Sequence, residues 1–507
     1  MLSVKTKLIP LNCLAWTRRL RNLKVLSEPV RCIASTSVRS QVLQTSLDPK
    51  LENLIENEKL KARKHFGINK QVSVAVPDRI QKAMIKAVGD TPLKALVDDS
   101  EAFSRFILCR KAPMEETNLR LKQQEIEELV LSDPAKFKLP KFPQVGDEAA
   151  EKLFNSRKNQ KVKQILKQRV YSWQAINYDE HKSLQYLISR SALEYAIIMR
   201  IFREIQRRDP SFTPGSYFDF GSGVGTGVWA AAEMWKQSIF EYYLVDTSRQ
   251  MNDLSDLILR DGDENKAMSL KNVYYRQFLP ARDDKYDLVL SSHSLFEMPS
   301  LKNRLEVANN LWNKAQQYLI FVEVGTKAGF QVLNEIRDFL MEVKGAHQED
   351  AFIFSPCPHE SPCPRHELND GTPCNFDIVY KPLELTGTGA PRKGTYCYLV
   401  VKKGTPTEAD RWPRIIRPTM LRHKHVICRM CTEHGKIQEG IFTASKHGKP
   451  TMRCAKHSNW GDQLPIKVLS TDDTTGGSID TSDEADDSSD DEQIKKDSIP
   501  IDLPQTK

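Results

Sequence analysis

The segment Tyr217-Phe-Asp-Phe-Gly-Ser-Gly-Val-Gly-Thr-Gly227 decides how the rest of this chain is interpreted. Aromatic residues lead into four glycines at alternate positions, and residues 228–235 then have the composition of an amphipathic helix. A strand that ends in a glycine loop at a helix N-terminus can offer its backbone amides directly to a ligand. We therefore predict a strand, a ligand-binding loop and a helix, in that order.

The spacing of the glycines favours one cofactor over another. The dinucleotide fingerprint needs a glycine three positions after its second glycine, but Thr226 follows Gly223 at that distance and Val228 follows Gly225. The remaining pattern, D-x-G-x-G-x-G, resembles the first motif of the Rossmann-like methyltransferases that use S-adenosylmethionine. A tight turn without any ligand is the alternative. The cofactor-binding residues predicted from this motif are Asp219, Gly221, Gly223 and Gly225.

Strand-like segments follow the loop at 240–245, 272–277, 286–291 and 317–324, with helical segments between them, as a parallel sheet requires. Two late segments, 375–381 and 395–402, can complete a seven-stranded sheet. Asp246 closes the second strand, where an acid can accept hydrogen bonds from both ribose hydroxyls, and it is our fifth cofactor-binding residue. The predicted fold class is therefore α/β, with the doubly wound sheet of a Rossmann-like class I methyltransferase.

The end of the fourth strand, where this class often places catalytic groups, carries no recognisable catalytic motif. The stretch Ser291–Glu297 has no N-P-P-Y or D-P-P-Y motif to hold a flipped base, and no cysteine to attack a pyrimidine. His293 could act as a base, but a lone histidine at a strand end is more often a hydrogen-bonded structural residue. We assign no catalytic residue, so enzyme activity stays uncertain, and we expect methyl transfer to be absent.

Charge is unevenly distributed along the 507 residues. Residues 1–40 hold eight Lys or Arg and one acid, while residues 471–492 hold ten Asp or Glu and no base. The net charge of +8 therefore understates how basic the intervening chain is. Such a body suggests a polyanionic partner, with nucleic acid ahead of a membrane surface. No apolar run approaches the length of a transmembrane helix, so we expect no membrane association.

The first forty residues are rich in arginine, poor in acids and interspersed with leucines, which is typical of a mitochondrial transit peptide. The alternative is a disordered basic arm that binds RNA. A transit peptide predicts the mitochondrial matrix, where thiols are reduced and metal ligation is favoured over disulfide formation.

The domain organisation follows from these composition changes. A helical, charged N-terminal region occupies 41–170, and helical spacing of apolar residues continues from Tyr171 to Arg208. A methyltransferase-like domain at 171–402 contains a cysteine loop, 357–374, and a basic, metal-linked extension follows at 403–467. The tail, 468–507, is disordered by composition.

The cysteine loop brings three thiols, those of Cys357, Cys363 and Cys374, into a segment rich in proline. Cys428-Arg-Met-Cys431 can donate a fourth ligand, and four cysteines suit either a [4Fe-4S] cluster or zinc. A zinc ribbon competes with this arrangement. Its ligands would be Cys428, Cys431, Cys454 and His457. The spacing alone leaves both arrangements open.

The extension is the most basic part of the chain. Between Arg411 and His457 there are eleven Lys or Arg, five His and two acids, interrupted by apolar residues. This alternation predicts a small β-rich unit with one basic face, and phosphate contact is the natural use of such a face. A merely solvated surface is the alternative.

Four motifs in a fixed order carry a family resemblance: residues 219–230, residues 322–330, C-P-H-E-S-P-C-P at 357–364, and the C-x-x-C through W-G-D ending at 462. Over about residues 150–470 the chain resembles the methyltransferase-like protein 17 family of mitochondrial small ribosomal subunit assembly factors. Where that family has V-E-P-G, this chain has Val324 in place of the proline.

The resemblance implies a factor that binds the rRNA and ribosomal proteins of the maturing small subunit, as a monomer on that subunit. It also implies a protein that keeps the S-adenosylmethionine-binding fold while lacking methyl transfer. A [4Fe-4S] cluster is implied as well, with ligands that match Cys357, Cys363, Cys374 and one cysteine of the C-x-x-C pair, for which Cys431 is preferred.

Overall fold

The computed structural model describes residues 43–69, 73–142, 147–282, 284–384 and 389–469. The chain divides into two compact units, 1–468 and 469–507, and the fold below is that of the first. The predicted transit peptide at 1–40 and the acidic stretch from 470 onward lie outside the described residues. Within the described residues, no helix combines the length and the apolar character needed to cross a bilayer.

Helices and strands alternate through the middle of the chain. The helices are α1 Pro49–Glu56, α2 Asp78–Val88, α3 Leu93–Leu108, α4 Glu116–Ser132, α5 Glu148–Arg169, α6 Glu180–Arg208, α7 Thr226–Trp235, α8 Arg249–Leu259, α9 Leu301–Lys314, α10 Lys327–His347, α11 Pro364–Leu368 and α12 Ala444–His457. The strands are β1 Thr45–Leu47, β2 Ser216–Phe220, β3 Glu241–Val245, β4 Val273–Arg276, β5 Tyr286–Ser292, β6 Ala315–Val324, β7 Ala351–Ser355, β8 Phe376–Tyr380, β9 Arg392–Lys403, β10 Arg414–Ile415, β11 Met420–Leu421, β12 Val426–Cys431, β13 Ile437–Phe442 and β14 Ile466–Val468.

The central sheet has the strand order β4-β3-β2-β5-β6-β9-β7. Its first five strands are parallel, while β9 runs antiparallel between β6 and β7. Helices separate the parallel strands, except that β4 leads directly to β5 without the predicted helix, and they bury apolar side chains on both faces of the sheet. The strand order reverses on either side of β2, so the glycine loop opens at a topological switch point. This confirms the predicted class I methyltransferase fold.

One strand differs from the sequence prediction. The edge position is held by β7, Ala351–Ser355, which the sequence analysis did not recognise, and β8 pairs with the N-terminal half of β9. The sheet therefore has eight strands rather than seven. All five residues of β7 are buried, because this short apolar run packs behind α10. It therefore lacks the alternation of apolar and polar residues that marks a half-exposed strand.

The long helix α6 begins later than its apolar spacing predicts. Asp179 caps its N-terminus by accepting a hydrogen bond from the Lys182 amide at 2.8 Å. Residues 171–179 consequently form an extended segment. This segment lies against the carboxyl end of β5, which bears on the site described below.

The extension forms a small sheet in which β12 pairs with β13 on one edge and with β10 and β11 on the other. Strand β1 pairs antiparallel with β14, so the first described strand is held by the last. Leu47 and Leu51 accordingly share a core with Ile415, Phe442 and other residues of the extension. The N-terminal region is thus joined to the extension as well as to the central sheet.

Candidate functional site

The glycine loop lies between β2 and α7 and lines a small cavity. Gly221 and Gly223 have φ values of +70° and +51°, in the left-handed region that favours glycine. A Cβ on Gly221 would lie 2.5 Å from the Cβ of Ser294, whereas a Cβ on Gly223 would meet no atom closer than 4.0 Å. Space is thus left open at Gly223, on the side where a ligand can reach the loop.

Gly225 and Gly227 serve the packing of α7 instead. A Cβ on Gly225 would lie 2.5 Å from the Ser255 hydroxyl, and one on Gly227 would lie 2.3 Å from a carboxylate oxygen of Asp219. Gly225 does not line the cavity, although Gly221, Gly223 and Gly227 do. Gly227, the fourth glycine of the motif, was not among the predicted site residues. It is needed because a side chain there would collide with Asp219 and prevent α7 from passing over this residue.

Asp219 is 2% exposed at the base of this cavity. Tyr217 donates a hydrogen bond to its Oδ2 at 2.8 Å. Burial raises the pKa of Asp219 to about 7, and the hydrogen bond from Tyr217 only partly opposes this effect. A cationic ligand in the cavity would favour the charged carboxylate.

Asp246, the predicted ribose ligand, is placed beside the loop at the end of β3. Its Oδ2 accepts a hydrogen bond from the Gly223 amide at 2.9 Å, and its Oδ1 accepts one from the Ser248 amide at 2.8 Å. The carboxylate therefore fixes the loop conformation, while its remaining lone pairs can accept further hydrogen bonds. The structure brings Asp246 to Gly223, but not into the lining of the same cavity.

Two residues of α6 complete the cavity, and the sequence analysis did not assign them to the site. Tyr186 donates a hydrogen bond to Glu194 at 2.6 Å, and both side chains line the cavity together with Ser292. Arg190 Nε lies 3.3 Å from Glu194 Oε1, and burial raises the pKa of Glu194.

His293 lies at the end of β5 with φ +56° and 5% of its side chain exposed. Its Nδ1 is 2.9 Å from the Ser292 hydroxyl and 3.8 Å from Glu194 Oε1. Burial, followed by the charge of Arg190, holds the pKa of His293 well below its usual range. The imidazole is therefore a buried neutral group.

A second group of contacts covers the end of β5. Arg110 forms a bidentate ion pair with Glu297, and the Ile176 amide donates to the same carboxylate at 3.2 Å. The Trp173 indole donates to the Phe296 carbonyl at 2.8 Å. The segment before α6 is thereby fastened to the residues that follow β5.

Four cysteines meet at a different place, between the central domain and the extension. Cys357, Cys363 and Cys374 line two small adjoining cavities, and Cys431 lines the first of these. The structure thus brings together the four predicted metal ligands from two separate segments of the chain. No three His, Cys, Asp or Glu side chains among the described residues are arranged to hold a single metal ion.

Strand geometry separates the two cysteines of the C-x-x-C pair. Residues three apart on β12 project from opposite faces. Cys428 is fully buried in the core of the extension with Cys454, while Cys431 faces the cysteine loop. His457 is exposed at the end of α12. The four residues of the alternative zinc ribbon are therefore not assembled around one point.

The surroundings of the four thiols are buried and contain the guanidinium groups of Arg337, Arg365 and Arg414. Burial, with Cys357 as the next cause, raises the pKa of Cys363 to about 11, and burial also raises those of Cys374 and Cys431. His359 Nε2 lies 3.3 Å from Cys431 Sγ. Although burial opposes its charge, the pKa of Arg337 is raised by Cys357 and Asp338. A bound cationic centre would instead stabilise the thiolates.

The basic residues of the extension are largely without acidic partners. Among the eleven Lys and Arg between 411 and 457, those with a carboxylate partner within the described residues are Arg411, Arg414 and Arg429. The others include seven exposed side chains: Arg422, Lys424, Lys436, Lys446, Lys449, Arg453 and Lys456.

Comparisons with known proteins support one family. A family model described as mitochondrial small ribosomal subunit Rsm22 matches residues 180–465. The human mitochondrial ribosome assembly protein METTL17 is 34% identical over 412 residues, which cover 80% of this chain and 86% of that protein. A mitochondrial Rsm22-cox11 tandem protein of Schizosaccharomyces pombe is 29% identical over 337 residues, covering 57% of this chain and 44% of that protein. These relatives confirm the predicted mitochondrial localisation.

Solved structures with a similar arrangement are methyltransferases. Magnesium protoporphyrin IX methyltransferase from Synechocystis, crystallised with S-adenosylmethionine, is 15% identical, with 47% of this chain and 89% of that chain covered and a TM-score of 0.28. An S-adenosylmethionine-dependent methyltransferase from Aquifex aeolicus is 13% identical, with 45% and 100% covered and a TM-score of 0.27.

Proposed function

The chain belongs to the Rsm22 family of mitochondrial small ribosomal subunit proteins, and on this premise we propose that it is an assembly factor of that subunit. Its basic extension binds rRNA, and its methyltransferase-like domain serves as the scaffold. The observation that carries the proposal is the set of seven exposed, unpaired basic side chains in the extension. Unpaired cations collected on one small unit favour a polyanion, because each phosphate contact releases counterions from the nucleic acid.

The glycine-loop cavity binds S-adenosylmethionine in this proposal. Two carboxylates, those of Asp219 and Glu194, line the cavity and suit a ligand that carries a sulfonium and an ammonium group. The amide of Gly223 and the carboxylate of Asp246 lie at the carboxyl edge of the sheet, where such ligands bind. The bound cofactor stabilises the fold of the domain.

Methyl transfer is absent in the proposed function. The Arg110–Glu297 pair and the 171–179 segment cover the end of β5, and His293 is buried and neutral. An acceptor base would have to displace these contacts before it could reach the cofactor. The competing function is an active rRNA methyltransferase. It predicts that His293→Ala abolishes one methylated nucleotide in small-subunit rRNA, whereas we expect an unchanged methylation profile with normal assembly.

The four cysteines fit an iron–sulfur cluster better than a single ion. They line the same cavity without converging as the ligands of one ion do, and Zn–S bonds of about 2.3 Å would bring zinc ligands close together. We propose that Cys357, Cys363, Cys374 and Cys431 hold a [4Fe-4S] cluster, with zinc as the alternative. Such a cluster supplies a crosslink between the cysteine loop and the extension, since its ligands come from both.

Gradient sedimentation of mitochondrial lysates tests the proposal. The full chain should migrate with the small subunit, and replacing Arg422, Lys424, Lys446 and Lys449 with glutamate should shift it to the free fractions. A charge-matched control replaces four exposed lysines of the central domain, Lys236, Lys271, Lys285 and Lys327, with glutamate. If the extension variant still sedimented with the small subunit, the proposed RNA-binding role of this surface would be wrong.

A further inference from the structure

A large open cleft lies where three parts of the chain meet. Its volume of about 870 Å³ exceeds the volumes of the glycine-loop and cysteine cavities. One wall comes from the short 3₁₀ helix Ala62–Lys64, another from the C-terminal end of α12, and the floor from α6 and β8. The cleft is separate from both sites described above, because none of its lining residues lines either of them.

The rim of the cleft is basic, although Asp377 and Asp462 also line the cleft. Arg63 and Lys64 stand on one side and Lys456 and His457 on the other, all exposed. Arg63, Lys64 and Lys456 form no ion pair within the part of the chain that the structure describes. Burial first, and then Lys456 and Arg63, lower the pKa of His457, so these positive charges lie near enough to repel one another. An anion between the two sides would relieve this repulsion.

The wall of the cleft is apolar and aromatic. Leu421 is 55% exposed, although it is an aliphatic side chain on a strand, and it lines the cleft together with Pro418 and Trp460. The Arg417 guanidinium lies 5.5 Å from the centre of the Trp460 ring. A planar apolar group therefore matches this wall.

We propose that this cleft receives an unpaired nucleotide of RNA, with its phosphates held by Arg63, Lys64 and Lys456 and its base placed against Pro418, Leu421 and Trp460. A cationic rim beside an aromatic wall is the combination with which proteins hold single-stranded nucleic acids. Duplex RNA does not suit the wall, because its bases are stacked inside the helix. The inference rests on the proposed rRNA-binding function and assigns it a second, strand-selective contact.

An acidic peptide is the competing occupant, and residues 471–492 of this chain have that composition. Such a peptide would satisfy the rim charges, but its Ser, Thr, Asp and Glu side chains would leave the apolar wall without a partner. The wall therefore favours the nucleotide.

Fluorescence anisotropy with the full chain and 12-nucleotide RNAs tests the inference. Single-stranded RNA should bind more tightly than a duplex of the same sequence. The double variant Arg63→Glu with Lys456→Glu should lose two phosphate contacts. Because each contact contributes about 0.7 to the magnitude of d log K/d log[salt], that magnitude should fall by about 1.4. Leu421→Glu and Trp460→Leu should each weaken binding by about tenfold. Leu421 is exposed, so its variant keeps the test valid if Trp460→Leu does not fold.

The possible failures are distinguishable. Lys236→Glu with Lys271→Glu serves as the control for changed net charge. Wild-type chain that bound neither RNA would contradict the proposed function itself. If the wild-type chain bound RNA, and the cleft variants and the control weakened that binding equally, the proposed role of the cleft alone would be wrong. A synthetic 471–492 peptide that bound in an Arg63- and Lys456-dependent manner, while single-stranded RNA did not, would assign the cleft to an acidic peptide instead.

Discussion

Arg414 Nη2 lies 2.7 Å from Glu204 Oε1, and this buried ion pair fastens the basic extension to the long helix of the methyltransferase-like domain. Their side chains are 1% and 3% exposed. Arg414 also donates to the Ser355 hydroxyl at 3.0 Å and to the Gly461 carbonyl at 2.8 Å. Burial by itself would raise the pKa of Glu204, but Arg414 and Arg208 hold it well below its usual range. One buried carboxylate therefore helps to anchor the basic extension to the central domain.

Glu204→Gln should be strongly destabilising, because it leaves the buried guanidinium of Arg414 without its counter-ion. Removing one partner of a buried pair typically costs about 3–5 kcal/mol of unfolding free energy. Denaturant unfolding of the full chain measures this change. The control is Glu439→Gln, which removes the partner of Arg429 in an exposed pair and should cost at most about 1 kcal/mol. Equal losses in the two variants would refute the anchoring role of Glu204.

Gly223→Arg should abolish binding of S-adenosylmethionine. The position has open space around a Cβ, so the arginine side chain would extend into the region that the cofactor needs. Isothermal titration calorimetry measures the loss. Gly389→Arg is the matched control, since Gly389 also has a φ of +51° and open space around a Cβ, but lies outside the glycine loop. Undiminished binding by the Gly223 variant would place the cofactor elsewhere.

Cys431→Ser should remove the iron–sulfur cluster, whereas Cys428→Ser should leave it in place. The two residues are on the same strand, but Cys431 faces the cysteine loop and Cys428 lies in the core of the extension. Iron, acid-labile sulfide and zinc contents of anaerobically purified protein measure the outcome, together with absorption at about 400 nm. A colourless protein with one zinc ion that was lost on changing Cys428 or His457 would instead support the zinc ribbon.

His65 should make the folded chain less stable below neutral pH. It is buried between the N-terminal region and the extension, with Nε2 2.8 Å from the Ser458 hydroxyl. Burial is the main cause that lowers its pKa from 6.5 to about 4. Because the unfolded state binds the proton more readily, the stability provided by neutral His65 is fully present above pH 6.5 and is lost as the pH falls towards 4.

At pH 5 the free energy of unfolding should be about 2 kcal/mol lower than at pH 7.5 because of His65. His65→Gln should remove this part of the pH dependence, as measured by unfolding at the two pH values. His423→Gln, at an exposed position, should leave the pH dependence as it is in the unmodified chain. A steep decline that persisted unchanged in the His65 variant would assign the effect to other groups.

The cofactor motif and the parallel strands were predictable from local sequence. Alternate glycines after β2 and an acid after β3 are patterns within a few residues, and the structure places Gly223 and Asp246 within a hydrogen bond of each other. Tyr186 and Glu194 were not assigned to the site, because a residue on a buried helix looks the same in sequence whether it meets a cavity or the core. Strand β7 was missed because a five-residue apolar run has no distinctive period.

The sequence by itself determined the fold class, the uneven charge and the set of cysteines that could bind metal, since each depends on residue type and short spacing. Only the tertiary structure decided that β1 pairs with β14, that Arg110 and residues 171–179 cover the end of β5, and that Cys431 joins the cysteine loop while Cys428 does not. These relationships join residues far apart along the chain. They depend on which faces of strands and helices pack together, and local sequence spacing does not predict this.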